Sequence, residues 1–148
     1  MVRYWEDFSA GQTFDLGSYE MTVEQITAFA RQWDPQPFHL SEEGGAASVF
    51  GGLIASGWHT ACVVMLRYVE DLLTDAVSMG SPGLSELRWL APVRPGDLLR
   101  IRAEVVEVRE SSVRTDRGTV VLAWEVTNQD GVVVLTMRGR GLFGRRPA

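Results

Sequence analysis

The longest periodic pattern of apolar residues lies in the middle of the chain and predicts a helix. From Trp58 onwards apolar residues recur at steps of three and four, the spacing of one helix face. The stripe comprises Trp58, Ala61, Cys62, Met65, Leu66, Val69, Leu72 and Leu73, and Val63 and Val64 widen it. We therefore expect a long helix from Gly57 to about Leu73, buried through this stripe, with Cys62 in the core.

The segments on either side predict a sheet and one smaller helix. Thr13 to Met21 reads as a first strand, and a short amphipathic helix follows from the N-cap residue Thr22 to about Trp33. After the long helix the apolar period changes to two, and the phase slips at Val106, which predicts a bulge. The four later strands are expected near residues 85–91, 99–108, 122–126 and 133–137. A sheet with one apolar face must bury that face against another element. We therefore expect an α+β fold with a curved antiparallel sheet around one long central helix.

Composition narrows the class of protein. The 148 residues, 45% hydrophobic and 22% charged, suit one domain spanning residues 1–148. A net charge of −5 gives no reason to expect nucleic acid or an anionic membrane surface as a partner. The first residues lack a secretory pattern and no stretch is apolar enough to span a membrane, so we expect a cytoplasmic protein. One cysteine and two histidines argue against a disulfide or a zinc site, and no cofactor is expected.

The candidate chemistry lies between the two predicted helices. The segment reads Asp34-Pro35-Gln36-Pro37-Phe38-His39. Each proline fixes its own φ and pushes the preceding residue toward extended geometry. We therefore expect a stiff extended loop that holds the carboxylate of Asp34 and the imidazole of His39 in a fixed relation, as general acid–base chemistry requires. Taken alone, the segment fits a simple helix terminator equally well.

The chain resembles the MaoC-like, R-specific enoyl-CoA hydratases (hydratase 2), which have the hotdog fold. The resemblance rests on the acid and histidine of this segment, the small-residue stretch that follows, and Gly57 at the start of the long helix. The opening Trp5-Glu6-Asp7-Phe8 with Gly11, and the later Leu90-Ala91-Pro92-Val93-Arg94-Pro95-Gly96-Asp97, resemble the family as well. Gln36 stands where the family usually has Asn. Ser56 stands where many members have His, which bears on the acyl preference.

The resemblance implies a hydratase/dehydratase that acts reversibly on enoyl-CoA and R-3-hydroxyacyl-CoA thioesters. Asp34 and His39 would activate the water and deliver the proton to C2. The backbone N–H of Gly57, at the positive end of the helix, would stabilise the charge that develops on the thioester oxygen. The residues expected to contact the substrate are Gln36, Phe38, Ser56 and Trp58.

Several of these residues also have a purely structural interpretation. For Ser56 we prefer the interpretation as an ordinary N-cap. Gly57 is also compatible with a simple helix-start position without a catalytic role. His59 lies off the stripe and is interpreted as a packed or surface histidine rather than a third catalytic group. Trp58, Met65 and Trp89 fit the core or the wall of an acyl tunnel.

The resemblance also implies a homodimer or higher homo-oligomer, with CoA near basic side chains at the subunit boundary. Arg88, Arg94 and Arg100 are the candidates for its phosphates. Two other functions stay open at this point. A hotdog thioesterase would hydrolyse the same class of thioester, and a non-catalytic module would bind acyl thioesters without turning them over.

Overall fold

Five strands and four α-helices make up the computed structural model, which describes residues 1–148. In chain order they are β1 (Thr13–Glu20), α1 (Val23–Trp33), α2 (Pro37–Leu40), α3 (Glu42–Ala46), α4 (Gly57–Asp71), β2 (Gly83–Trp89), β3 (Leu98–Glu110), β4 (Arg117–Thr127) and β5 (Val133–Gly144). The strands form one antiparallel sheet in the order β1-β3-β4-β5-β2. The expected arrangement of an antiparallel sheet with one long helix is confirmed. No helix has both the length and the apolar character needed to cross a membrane.

The core is formed by one face of the sheet and one side of α4. On β3 the inward residues alternate with exposed ones until the strand bulges. Leu99, Ile101, Ala103 and Val105 are all buried. The register with β4 then shifts between Val105 and Glu107, and Val108 packs against the core in the opposite parity. The predicted bulge is confirmed, and it follows from the change in alternation.

The long helix is where the sequence predicts it, but it buries a different face. The side of α4 that meets the core carries Val63, Val64 and Tyr68, together with His59 and Thr60. The predicted stripe is largely on the outside: Trp58, Met65, Leu66 and Val69 are 39 to 56% exposed, and Cys62 is exposed. Trp89 is exposed too. The prediction that these residues form the core of the single chain is therefore wrong, because α4 is apolar on nearly all sides and periodicity alone did not select the buried one.

The segment between α1 and α4 is more helical than expected. The hydroxyl of Thr22 accepts a hydrogen bond from the Gln25 N–H at 3.2 Å, which caps α1, and the helix ends at Trp33. The backbone is extended only as far as Gln36, and Pro37 starts the single turn α2, which carries His39. The prediction of an extended loop up to His39 is wrong, because proline favours the first position of a helix as well as extended structure.

Candidate active site

The two ends of the proline segment meet beside the N-terminus of α4. His39 Nε2 lies 3.3 Å from Asp34 Oδ2, and the two side chains are only 6% and 17% exposed. The turn α2 reverses the chain between them, so residues five positions apart face each other. The expected carboxylate–imidazole pair is present in the structure as a close, mostly buried contact.

A contact of the other ring nitrogen, Nδ1, determines that Nε2 of His39 faces the acid. Nδ1 lies 2.8 Å from the backbone carbonyl oxygen of Ile54. A carbonyl oxygen can only accept, so Nδ1 carries a proton and Nε2 is the nitrogen that gains or loses one. Nε2 and the Asp34 carboxylate would be two acceptors side by side if His39 were neutral. The pair is therefore suited to hold a donor between them, either a proton on Nε2 or a water molecule.

Asp34 is held as a charged carboxylate by three neighbours. Gln36 Nε2 donates to Oδ1 at 2.8 Å, and Ser56 Oγ donates to Oδ2 at 2.7 Å. Burial works against the charge, but the hydrogen bonds from Gln36 and Ser56 and the charge of His39 outweigh it, so the pKa of Asp34 lies below its usual 3.8. At neutral pH this side chain accepts hydrogen bonds and is a weak base.

Ser56 does not act as an ordinary N-cap. It occupies the N-cap position of α4, but its side chain makes no capping hydrogen bond. The residue is 0% exposed, and its hydroxyl is committed to Asp34 instead. The preferred N-cap interpretation is wrong: the hydroxyl donates to the Asp34 carboxylate, and its oxygen accepts no hydrogen bond from the N–H groups of the first turn. Contact of Ser56 and Gln36 with substrate stays a prediction.

The first turn of α4 offers donors to the same space. The N–H of Gly57 makes no hydrogen bond, and the carbonyl of Ser56 accepts from the N–H groups of His59 and Thr60. Such free N–H groups form the positive end of a helix. Gly57 also has a packing reason to lack a side chain, since a Cβ there would come within 2.4 Å of the Trp89 indole.

A cavity of about 450 Å³ joins the pair to the helix end. Asp34, His39 and Gly57 all line this catalytic cavity, and so do Gln36, Phe38 and Trp58. Apolar side chains from the segment around Trp89 to Val93 form the rest of its wall. Six of the seven predicted site residues thus share one cavity, while Ser56 lies behind Asp34. The arrangement combines a base, a carboxylate and a backbone donor in a mainly apolar space.

The second histidine lies outside this cavity. His59 is buried and stacks on Phe29, with ring centroids 4.8 Å apart and planes 8° from parallel. Burial lowers its pKa, so it stays neutral at physiological pH. The interpretation of His59 as a packed histidine is confirmed.

The three candidate arginines differ in position. Arg88 pairs with Glu86, and Arg100 pairs with Asp15. Arg94 donates to the carbonyl of Phe50, a residue that lines the catalytic cavity. Arg94 is therefore the candidate beside the cavity. Contact of any of them with CoA stays a prediction.

The comparison with known proteins identifies the family. Residues 7–128 match the family model described as the MaoC like domain. The chain belongs to the MaoC-like dehydratase family, which confirms the resemblance seen in the sequence.

Individual relatives support the same assignment. The structure of a MaoC-like dehydratase from Rhodospirillum rubrum is 38% identical and superimposes with a TM-score of 0.88 over 99% of each chain. A 3-hydroxybutyryl-CoA dehydratase from Methylorubrum extorquens is 34% identical over 109 residues, which are 72% of this chain and 66% of that protein. A Mycobacterium tuberculosis protein described as having a double hotdog fold is 21% identical, with a TM-score of 0.83 over 99% of this chain and 45% of that one. The hotdog fold is thereby confirmed.

Proposed function

We propose that the protein is a hydratase/dehydratase that adds water across the 2,3 double bond of an enoyl-CoA thioester and removes it from the R-3-hydroxyacyl-CoA product. The observation that carries the proposal is the His39–Asp34 pair, 3.3 Å apart, in one cavity with the free N–H of Gly57. Membership of the MaoC-like family and the likeness to a 3-hydroxybutyryl-CoA dehydratase support the substrate class. Water is the only co-substrate, and no cofactor or metal is required.

His39 is the base in this mechanism. Its Nε2 takes a proton from the water as the water oxygen bonds to C3, and the electron pair of the double bond moves toward the thioester oxygen. The proton then passes from Nε2 to C2, so that one water is added and the enzyme is restored. Asp34 has a lowered pKa, which keeps it in the charged, hydrogen-bond-accepting form. It accepts a hydrogen bond from the water and stabilises the transient imidazolium.

The helix end supplies the other half of the chemistry. As C3 is attacked, negative charge develops on the thioester oxygen. The unpaired N–H of Gly57, at the positive end of α4, donates to that oxygen. One such donor contributes about 10²–10³ in turnover in other enzymes. The Trp89 indole packs over Gly57 and helps to exclude bulk water from this point.

The direct test is hydration of crotonyl-CoA by the purified protein. Loss of the conjugated-enoyl absorbance measures hydration, and release of free thiol in the same sample measures thioester hydrolysis. We expect hydration without thiol release. Thiol release alone would make the protein a thioesterase. Tight binding of acyl-CoA, with no turnover of a broad thioester panel, would make it a binding module.

Variants of the pair sharpen this test. Asp34→Asn and His39→Ala should each lower turnover about a hundredfold or more while the protein stays folded. Asp15→Asn on the surface and His59→Gln outside the cavity are the matched controls, checked for folding by circular dichroism. If either site variant retains near-normal turnover, its residue has no part in the mechanism.

We also propose that two copies of the chain associate through α4 and β2. The outer face of α4 (Trp58, Cys62, Met65, Leu66 and Val69) is exposed and apolar in the single chain. The neighbouring strand β2 lies at the edge of the sheet and pairs only with β5. An apolar helix face beside an open strand edge is a surface that proteins normally cover.

Size-exclusion chromatography with light scattering tests this association. We expect a dimer or a larger even-numbered assembly for the unaltered protein. Val69→Glu should shift it toward the monomer, since it places a charge on the outer face. Val23→Glu, an equally exposed apolar position on α1, is the control. A monomer at micromolar concentration before any substitution would contradict the proposal.

A further inference from the structure

Arg94 holds the loop between α3 and α4 against the rest of the site. Its guanidinium donates to the backbone carbonyl of Phe50 at 2.7 Å. The same guanidinium lies close to the backbone two residues further on, since a Cβ on Gly52 would be 3.2 Å from Arg94 Nη1. This stretch, residues 47–53, forms part of the wall of the catalytic cavity through Phe50. We call it the wall loop.

A buried carboxylate fixes the turn that carries Arg94. Asp97 is 8% exposed, and its Oδ2 accepts a hydrogen bond from the backbone N–H of Arg94 at 2.9 Å. Its Oδ1 accepts from Nε2 of Gln129, on the connection between β4 and β5, also at 2.9 Å. Next to Arg94, the carbonyl of Val93 accepts from the N–H of Ala55 at 2.8 Å. The turn is thus attached both to the sheet and to the segment that leads into α4, which gives the guanidinium a firm support.

Two aromatic contacts lead from the wall loop to the proposed base. The ring of Phe50 packs against the ring of Phe38, with centroids 5.2 Å apart and planes at 59°. The ring of Phe38 packs edge-on against the imidazole of His39, with centroids 4.5 Å apart and planes at 74°. All three residues line the catalytic cavity. A displaced Phe50 would leave Phe38 without its neighbour on one side, and the imidazole would lose part of the packing that orients it.

The hydrogen bonds of His39 do not fix its orientation by themselves. Nδ1 contacts the carbonyl of Ile54, and Nε2 contacts Asp34. Hydrogen bonds to an imidazole lie near the plane of its ring, so they resist a tilt about the line between the two partners less than they resist other motions. Packing against Phe38 restrains that tilt. A reacting group that is misplaced by about 1 Å can lose about a hundredfold in rate, so this restraint bears on turnover.

We propose that Arg94 is a positioning residue for the reaction. It holds the wall loop in place, and through Phe50 and Phe38 it keeps the imidazole of His39 in the reactive orientation. This inference rests on the proposed function for the role of His39. Arg94 touches no reacting atom in this scheme. Its effect belongs to turnover rather than to binding of the thioester, which distinguishes it from an arginine that binds the phosphates of CoA.

Kinetics with two thioesters test this distinction. Arg94→Met removes the donor and keeps a long unbranched side chain. We expect kcat for crotonyl-CoA to fall about tenfold while KM changes less than about twofold. The same fall in kcat/KM is expected for crotonyl-N-acetylcysteamine, a thioester without the CoA phosphates. Arg109→Met is the control, since Arg109 is exposed and pairs with Glu107 on the same strand. An unchanged kcat, or a higher KM for crotonyl-CoA alone, would overturn the proposal.

Two further variants test the route through the wall loop. Arg94→Lys keeps a donor on a long side chain and should retain more turnover than Arg94→Met. Phe50→Leu removes the ring that packs against Phe38. If Arg94 acts through Phe50, the double variant Arg94→Met/Phe50→Leu should be about as slow as the slower single variant. If the two losses multiply instead, the residues act independently and the proposed route is wrong.

An NMR measurement tests the inference without turnover. The chain has only two histidines, so the ring signals of His39 are assigned by comparison with His59→Gln. Because the ring of Phe38 packs on the imidazole, its ring current acts on these signals. We expect Arg94→Met to shift or broaden the His39 signals and to leave those of His59 in place. Unchanged His39 signals in a folded Arg94→Met variant, checked by circular dichroism, would overturn the proposal.

The outcomes separate this inference from the proposed function. If the unaltered protein hydrates crotonyl-CoA, and Arg94→Met changes neither kcat nor the His39 signals, Arg94 has no positioning role and the function stands. If the unaltered protein hydrates no enoyl-CoA but the His39 signals still respond to Arg94→Met, Arg94 positions the imidazole in a protein of another activity.

Discussion

Removing the hydroxyl of Ser56 should change the acid–base behaviour of the whole site. Ser56 is fully buried and donates to Asp34 Oδ2 at 2.7 Å, the same oxygen that faces His39. A hydrogen bond to a charged group contributes about 1.5–3 kcal/mol. Because this hydrogen bond helps to hold the pKa of Asp34 below its usual value, Ser56→Ala should raise that pKa.

The loss should appear in both activity and stability. A carboxylate with a lowered pKa in the folded state stabilises the protein above its unfolded pKa, and this contribution disappears as the pH falls through the folded value. Ser56→Ala should therefore lower the unfolding free energy at pH 7 by about 1–3 kcal/mol, with a smaller difference once the pH falls below the lowered pKa of Asp34. Turnover at pH 7 should fall about tenfold, since Asp34 is less firmly oriented.

The assay is an NMR titration of the Asp34 carboxyl carbon, with crotonyl-CoA hydration and urea unfolding followed in parallel. We expect Asp34 to protonate at a higher pH in Ser56→Ala than in the unaltered protein. Ser56→Thr, which keeps a hydroxyl, should restore most of the profile, and Ser9→Ala on the surface is the control. If Asp34 protonates at the same pH in a folded Ser56→Ala variant as in the unaltered protein, the hydroxyl does not control the ionisation of Asp34 and the reasoning fails.

Two further substitutions probe the groups around the pair. Gly57→Ala should lower both turnover and thermal stability, because the new Cβ would meet the Trp89 indole at 2.4 Å. The measurements are kcat and differential scanning calorimetry. A fully active and equally stable variant would show that the glycine has neither role. Gln36→Leu removes the donor to Asp34 Oδ1 and should raise the pH at which Asp34 protonates, as Ser56→Ala does. A shift to lower pH in the same NMR titration would contradict the assigned hydrogen bond.

The sequence allowed much of the site to be predicted because its parts are local. Asp34 and His39 are five positions apart, and the prolines between them restrict the backbone strongly. The helix that ends before Asp34 follows from a local signal, the Thr22 cap, and the start of α4 at Gly57 from local spacing. The family features sit in these same local stretches.

Other parts of the site are contacts that side-chain identity does not encode. The partner of His39 Nδ1 is the backbone carbonyl of Ile54, a group that every residue carries. The partner of the Ser56 hydroxyl is 22 positions away, at Asp34, whereas the N-cap interpretation used only its neighbours. The indole over Gly57 comes from the edge strand β2. No spacing rule in the sequence pointed to these contacts.

The sequence by itself determined the order of the five strands and the two longer helices, the bulge in β3 and the acid–histidine pair, because each depends on backbone preferences and periodicity within a few residues. Only the tertiary structure decided which side of α4 enters the core. That helix is apolar on nearly all sides, so the burial of Val64 rather than Met65 depends on which face the sheet covers. The same choice leaves the outer face of α4 exposed.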